Sequence, residues 1–373
     1  MVKLVTPPET PDSDPFEGTI YRLVRPLAHG GMGQVFLVEH RQLGRQLVAK
    51  VLKDELAGDS LLVERFRIEA QSLGKLRHPN VVAIVGFGNT SDKRPFLVTE
   101  YLQGQTIAQA LASGIMFTVR ESIRYARETL SALAAAHELG IIHRDIKPEN
   151  LFIQQQPDGS TQIKVLDFGV ARVIPGVSPG APQPLAIPTD TGLVFGTPHY
   201  MSPEGALGEH VDHRADIYSL GLVLYRMLAR RGPFNDDLSG NGIFTAGLTQ
   251  DPKPPSFFAL SRIPPELDDV VLKALQRSPD DRYSSVGEFD AALANVTQFI
   301  VEDENDTGEV AIPLTARGHS SDSLLATTSP AARNAVQSHS ARANVILFAV
   351  IMLATSVLVS IIVMRLGQGT GVP

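Results

Sequence analysis

The chain has 373 residues, a formal net charge of -7 and no cysteine. That length holds one two-lobed domain with appendages, or two small domains, and the acidic balance gives no general reason to expect nucleic-acid binding. Without cysteine there is no disulfide framework, thiolate metal site or cysteine nucleophile, so any chemistry must use oxygen and nitrogen groups.

Residues 1–20 carry four prolines and several acids. They have neither an apolar signal core nor an arginine-rich transit pattern, and they read as a disordered leader. Short β-prone runs follow at Tyr21 to Leu27, Gln34 to Glu39, Leu47 to Leu52 and Phe96 to Thr99. After residue 105 the pattern lengthens to helical stretches such as Arg120 to Glu138, Asp216 to Ala229 and Leu267 to Leu275. A small sheet-rich part is therefore expected ahead of a larger helical part.

Beyond residue 300 the character changes. Glu302, Asp303, Glu304, Asp306 and Glu309 lead into a Ser-, Thr-, Ala- and Arg-rich stretch that cannot bury enough apolar surface to fold alone, so 301–344 reads as a linker. Val345 to Met364 is an uncharged run of twenty residues, interrupted by Thr355, Ser356 and Ser360. As a helix it spans about 30 Å, the thickness of a bilayer core, and it is expected to cross a membrane once. Arg333 and Arg342 before it, against Arg365 after it, bias the N-terminal side toward the cytoplasm. The tail Arg365 to Pro373 is expected to carry no folded module on the far side.

Three runs carry candidate chemistry. Leu27-Ala28-His29-Gly30-Gly31-Met32-Gly33-Gln34-Val35 sets three glycines between two β-prone segments, where peptide N–H groups can approach phosphate oxygens closely. It is not a Walker A loop, because no Gly-Lys-Ser/Thr ends it. Lys50 sits among apolar neighbours in Leu47 to Leu52 and needs an anionic partner; Glu64 and Glu69, in the helical stretch Leu61 to Leu76, are the candidates. The third run, His143-Arg144-Asp145-Ile146-Lys147-Pro148-Glu149-Asn150, is followed by Asp167-Phe168-Gly169 after a β-prone segment.

Together these runs resemble the protein-kinase superfamily, and specifically the bacterial membrane-anchored serine/threonine kinases of eukaryotic (Hanks) type, over about residues 21 to 295. The resemblance implies an α+β fold with a small β-rich N-terminal lobe (21–102) and a large helical lobe (103–300), plus the C-terminal membrane helix. It implies ATP with Mg2+, or Mn2+ in its place. Ala28, Gly30, Gly33 and Val35 would cover the nucleotide, and Lys50 would hold its phosphates while positioned by Glu69. Glu100 and Leu102, after Thr99, would give backbone hydrogen bonds to adenine. Asp145 would orient the substrate hydroxyl, Lys147 would counter charge on the transferring group, and Asn150 and Asp167 would hold the metal.

Further expectations rest on the same resemblance. Thr197, in Gly196-Thr197-Pro198, would contact Asp145 and Lys147 beside the docked substrate. Glu204 would clamp Arg282, and Asp216 would brace the catalytic-loop backbone. Arg144 suits a phosphate on the activation segment, with Thr191 and Thr189 as the autophosphorylation candidates. The implied partners are protein substrates, a lipid bilayer through one helix, and a second copy by family analogy, with no nucleic acid. The implied location is a bacterial inner membrane with the kinase domain cytoplasmic.

Departures from the family pattern are Ala28 in place of the first loop glycine, Ser202 in place of alanine, and Ile174 to Pro188, which adds five prolines and two glycines to the activation region. None removes a catalytic group. The competing readings are a membrane-tethered pseudokinase scaffold and a small-molecule phosphotransferase. Lys50, Asp145, Asn150 and Asp167 argue against the first, and the peptide-docking run Gly196 to Glu204 against the second.

Overall fold

Alternation of apolar residues along the first hundred positions builds a five-stranded antiparallel sheet from β1 (Tyr21–His29), β2 (Gly33–His40), β3 (Gln46–Leu52), β4 (Ile84–Asn89) and β5 (Pro95–Glu100), in the order β1-β2-β3-β5-β4. The computed structural model describes residues 14–29, 33–53, 57, 63, 64, 67, 70, 74–168, 198–234 and 241–300. The chain divides into two units, Met1–Val310 and Ala311–Pro373, and every described residue lies in the first.

The period of two is visible in the packing. Leu47, Ala49 and Val51 of β3 bury one face together with Phe36, Val38, Phe96 and Val98. β4 escaped the sequence reading because two glycines dilute its β-propensity. The space above Gly88 is taken by the Phe96 ring, which a Cβ there would approach to 2.7 Å.

The leader expected over residues 1–20 needs correcting at its C-terminal end. Asp14 accepts the N–H groups of Phe16 and Leu23 at 2.9 and 3.3 Å. Phe16 is wholly buried and meets Phe36 and Phe96 edge-on, with ring centroids 5.7 and 5.2 Å away. One large aromatic side chain in a sheet pocket outweighs the disorder-prone composition around it.

The second lobe is helical. It comprises α1 (Ile107–Ala112), α2 (Val119–Glu138), α3 (Pro203–Leu207), α4 (Arg214–Ala229), α5 (Asn241–Thr249), α6 (Pro265–Ala274) and α7 (Val286–Val296). α2 starts at a capping box: the Thr118 side chain accepts from the Glu121 N–H while Glu121 returns a carboxylate oxygen to the Thr118 N–H. Ile123, Ala126, Leu130, Leu133 and Ala136 then form a helical stripe facing the core. α4 is buried continuously from Ala215 to Tyr225 and runs through the lobe's centre. Such a helix can carry a buried charge only where partners meet it.

A three-stranded sheet, β6 (Gly104–Thr106), β7 (Leu151–Gln155) and β8 (Thr161–Val165), lies where the lobes join. Residues 80–82 are stitched to β8: Asn80 Nδ2 donates to the Ile163 carbonyl at 2.9 Å, the Val165 N–H to Asn80 at 2.8 Å, and the Val82 N–H to Val165 at 3.1 Å. Among the described residues no helix is long and apolar enough to cross a membrane. The run Val345 to Met364, the linker 301–344 and the tail 365–373 lie outside the described residues.

Candidate active site

The candidate catalytic residues from His143 to Asn150 occupy the turn between α2 and β7, and their backbone is held from below. The Asp216 carboxylate of α4, fully buried, accepts the N–H of His143 at 2.9 Å and of Arg144 at 2.8 Å, and meets His137 Nε2 at 2.8 Å. Burial alone would push this carboxyl up. The His137 hydrogen bond, the nearby His143 and the backbone N–H donors outweigh it and hold Asp216 below the usual carboxylate range. Arg144 is held at φ 61°, a left-handed conformation costing roughly 1–3 kcal/mol for a residue with a side chain, which these bonds sustain.

His143 is also buried, and burial pushes its imidazole well below the ordinary histidine value. Its hydrogen bonds match the neutral ring: Nδ1 accepts the Asp145 N–H at 3.2 Å, and Nε2 lies 2.9 Å from the Leu166 carbonyl as donor. The ring packs on Phe168, centroids 4.6 Å apart. One histidine thus ties the loop bearing Asp145 to the strand end bearing Asp167.

Three candidate groups converge on that loop. Lys147 Nζ lies 2.8 Å from Asp145 Oδ2. Asn150 Nδ2 donates to the Asp145 carbonyl at 2.8 Å and to Oδ2 at 3.0 Å. Because the Asn150 amide nitrogen is spent on Asp145, the atom this side chain offers a cation is Oδ1. Asp167, at φ 48°, pairs across the lobes with Lys50 Nζ at 3.0 Å.

Lys50 reaches there because of its register. β3 pairs Lys50 with Val35 on one side and Leu97 on the other, and directly opposed residues share a sheet face. Glu69 lies outside the described residues, while Glu64 is engaged elsewhere, with Arg67 at 2.6 Å on the surface. Ala28 pairs with Val35 across β1 and β2. Gly33 backs onto β3 so closely that a Cβ would sit 2.0 Å from the Val51 carbonyl oxygen, so only glycine allows this approach. Gly30 lies outside the described residues, as do Thr189, Thr191 and Thr197.

Glu100 ends β5, and its side chain is committed: Oε1 accepts the Ala83 N–H at 2.9 Å and meets Lys164 Nζ at 3.0 Å. Leu102 follows, largely buried, where the chain has left β5. In the helical lobe Arg282 Nη2 and Nη1 grip Glu204 at 2.6 and 2.9 Å, and Arg282 also donates to the carbonyls of Gln276, Arg214 and Arg277. His137 and Lys164 were absent from the sequence-derived site. The first sits six residues before His143 on the facing turn of α2, but nothing in its local pattern announces a partner 79 residues away.

Hard oxygen donors suit magnesium, and the Asn150 amide oxygen and the Asp167 carboxylate are donors of that type on neighbouring stretches of chain, joined where the Leu166 N–H donates to the Asn150 carbonyl at 2.8 Å. The Lys50 ammonium beside Asp167 is the cation that a nucleotide's phosphates would meet here. A bilobal fold with these residues at its junction is the arrangement that the resemblance to protein kinases implied.

A protein kinase domain model matches residues 21–295. The serine/threonine-protein kinase pkn3 of Myxococcus xanthus is 38% identical over 292 residues, covering 77% of this chain and 52% of that protein. PknB of Mycolicibacterium smegmatis is 38% identical over 279 residues, covering 74% and 43% respectively. The crystal structure of the Mycobacterium tuberculosis PknI kinase domain superposes with a TM-score of 0.55 at 27% identity, covering 74% of this chain and 96% of that one. The chain belongs to the protein kinase family, among its bacterial serine/threonine members. It spans about half or less of the length of these curated relatives.

Proposed function

We propose that this protein transfers the γ-phosphoryl group of ATP to serine and threonine hydroxyls of protein substrates. The observation that carries this reading is the convergence of Asp145, Lys147 and Asn150 on one loop, opposite the Lys50–Asp167 pair that bridges the lobes. In the proposed step the substrate oxygen bonds to the γ-phosphorus, the bond to the β-phosphate oxygen breaks, and the hydroxyl proton passes to the Asp145 carboxylate. Lys147, held beside Asp145, supplies positive charge where the transferring group gathers negative charge.

Lys50 would hold the α and β phosphates, with Glu69 as its expected support. Asn150 and Asp167 would hold the divalent ion, which when bound neutralises phosphate charge. The backbone of Glu100 and Leu102 would receive adenine, and Ala28, Gly30, Gly33 and Val35 would cover the nucleotide. Thr197 would line the docked hydroxyl, while phosphorylation at Thr191 or Thr189 would be read by Arg144. Support for membrane attachment comes from the uncharged run Val345 to Met364, which would leave the kinase domain on the cytoplasmic face. Association of two copies rests on family analogy alone.

The test is incorporation of γ-labelled phosphate into a basic protein substrate by the full chain, with Lys50→Met alongside and phosphoamino-acid analysis of the product. Label on serine and threonine that vanishes in Lys50→Met is the expected result. ATP binding without transfer would return the reading to a pseudokinase scaffold.

A further inference from the structure

The ion pair between Glu100 and Lys164 is unusual for a strand lysine. Both side chains are largely withdrawn from water, 16% and 12% exposed, and the ammonium meets the carboxylate at 3.0 Å. The same carboxylate oxygen takes the Ala83 N–H at 2.9 Å, and Lys164 lies 3.4 Å from the Val81 carbonyl. Desolvating a lysine and a glutamate is costly unless the geometry is good and further hydrogen bonds complete it, and both conditions hold here.

The position of the pair gives it meaning. Glu100 is the last residue of β5, paired with Leu47 of β3, and the chain then crosses to the helical lobe. The next backbone anchor is Gln103, whose carbonyl accepts the Gln155 N–H at 2.9 Å at the end of β7. Lys164 stands on β8 opposite Phe152 of β7. Both ends of the crossing segment 100–103 are therefore tied to one small sheet, the first through the Lys164 side chain and the second through the backbone. Asp167 follows three residues beyond Lys164, two past the end of the same strand.

We infer that Lys164 is a positioning residue for the nucleotide: its ion pair with Glu100 fixes the segment that receives the base relative to the strand that leads to Asp167. The inference rests on the proposed reading of residues 100–102 as the adenine-binding segment. Lys164 touches neither the base nor the reacting atoms in this account. Losing the pair frees the segment to shift, so base and phosphates can no longer be bound together without ordering it first, and the affinity for ATP falls. The transfer step itself, governed by Asp145 and its neighbours, is left nearly intact once the site is saturated.

The experiment compares the wild-type chain with Lys164→Met, Lys164→Arg and Glu100→Gln, reading KM for ATP, kcat, and the dissociation constant of ATP by calorimetric titration. A charge-assisted, mostly buried contact predicts a KM and Kd raised about tenfold in Lys164→Met, with kcat within about twofold. Lys164→Arg, which retains the charge, should recover most of the affinity. Unchanged KM and Kd in Lys164→Met would overturn the inference, and so would an equal fall in kcat and kcat/KM at unchanged Kd. If Lys164→Met gives no cooperative thermal transition, Glu100→Gln decides from the other end of the pair, with raised Kd supporting and unchanged Kd opposing. Because Kd is read without turnover, a wild-type protein that binds ATP but transfers nothing would remove the proposed function while still deciding the role of Lys164.

Discussion

Asp216 and Arg144 are 72 residues apart in sequence, yet the carboxylate of one accepts the backbone N–H of the other at 2.8 Å inside the helical lobe. The same carboxylate takes the N–H of His143, so two consecutive peptide groups of the catalytic loop hang from one buried side chain. Replacing Asp216 with Ala strands both donors and should cost about 2–5 kcal/mol of stability. Because Asp145 is the next residue along, kcat should fall by about a hundredfold or more in whatever protein remains folded. Denaturant titration and steady-state kinetics check the two parts. Near-normal turnover in a folded Asp216→Ala protein would show that the loop keeps its shape without this brace.

The Glu204–Arg282 clamp is the most deeply buried salt bridge among the described residues, with side chains 4% and 0% exposed. Arg282→Met leaves an uncompensated carboxylate and should destabilise the fold by about 3–5 kcal/mol. The double variant Glu204→Leu with Arg282→Met removes both charges and should recover a substantial part of that loss. Equal stability of the single and double variants would show that the carboxylate of Glu204 is not left stranded.

His143 predicts a pH dependence. Its folded-state pKa lies below the unfolded value near 6.5, because burial disfavours the imidazolium. The stability it contributes is therefore complete above about pH 6.5 and is lost progressively as the pH falls, since the unfolded chain takes up the proton first. The stability difference between wild type and His143→Gln should shrink from pH 7.5 to pH 5 in denaturant titrations. A gap that stays constant or widens would contradict a buried neutral ring.

Phe16 should matter although it precedes the first strand. Its ring fills a pocket between Phe36 and Phe96, and Phe16→Ala should cost about 3–5 kcal/mol, visible as a lowered melting temperature with little change in KM for ATP. An unchanged melting temperature would return this segment to the leader.

The residues brought together here differ in how plainly the sequence displayed them. Asp145, Lys147 and Asn150 lie within six positions, so their convergence needed only one turn of chain. Strands β1, β2, β3 and β5 and helices α2, α4 and α6 were legible because their apolar periods are regular over enough residues. β4 was not, since Gly86 and Gly88 owe their place to the neighbouring rings of Tyr21 and Phe96 rather than to any local preference. Nothing in the local sequence marks Lys164, because its partner lies 64 residues earlier and only the tertiary fold brings them together. Phe16 was hidden by prolines and acids whose composition is that of a disordered chain. The Lys50 ammonium was expected to face an acid from the stretch Leu61 to Leu76; Glu69 lies outside the described residues, and among the described residues Lys50 pairs with Asp167.

The measurement closest to the central claim pairs binding with chemistry at Asp145. Wild-type protein and Asp145→Asn are compared for ATP dissociation constant and for the rate of γ-phosphate transfer to a protein hydroxyl. The carboxylamide preserves size and a hydrogen-bond acceptor but cannot take the proton as the carboxylate does, so Kd should stay within about threefold while the transfer rate falls by about a hundredfold or more. Transfer by Asp145→Asn at the wild-type rate would contradict the account.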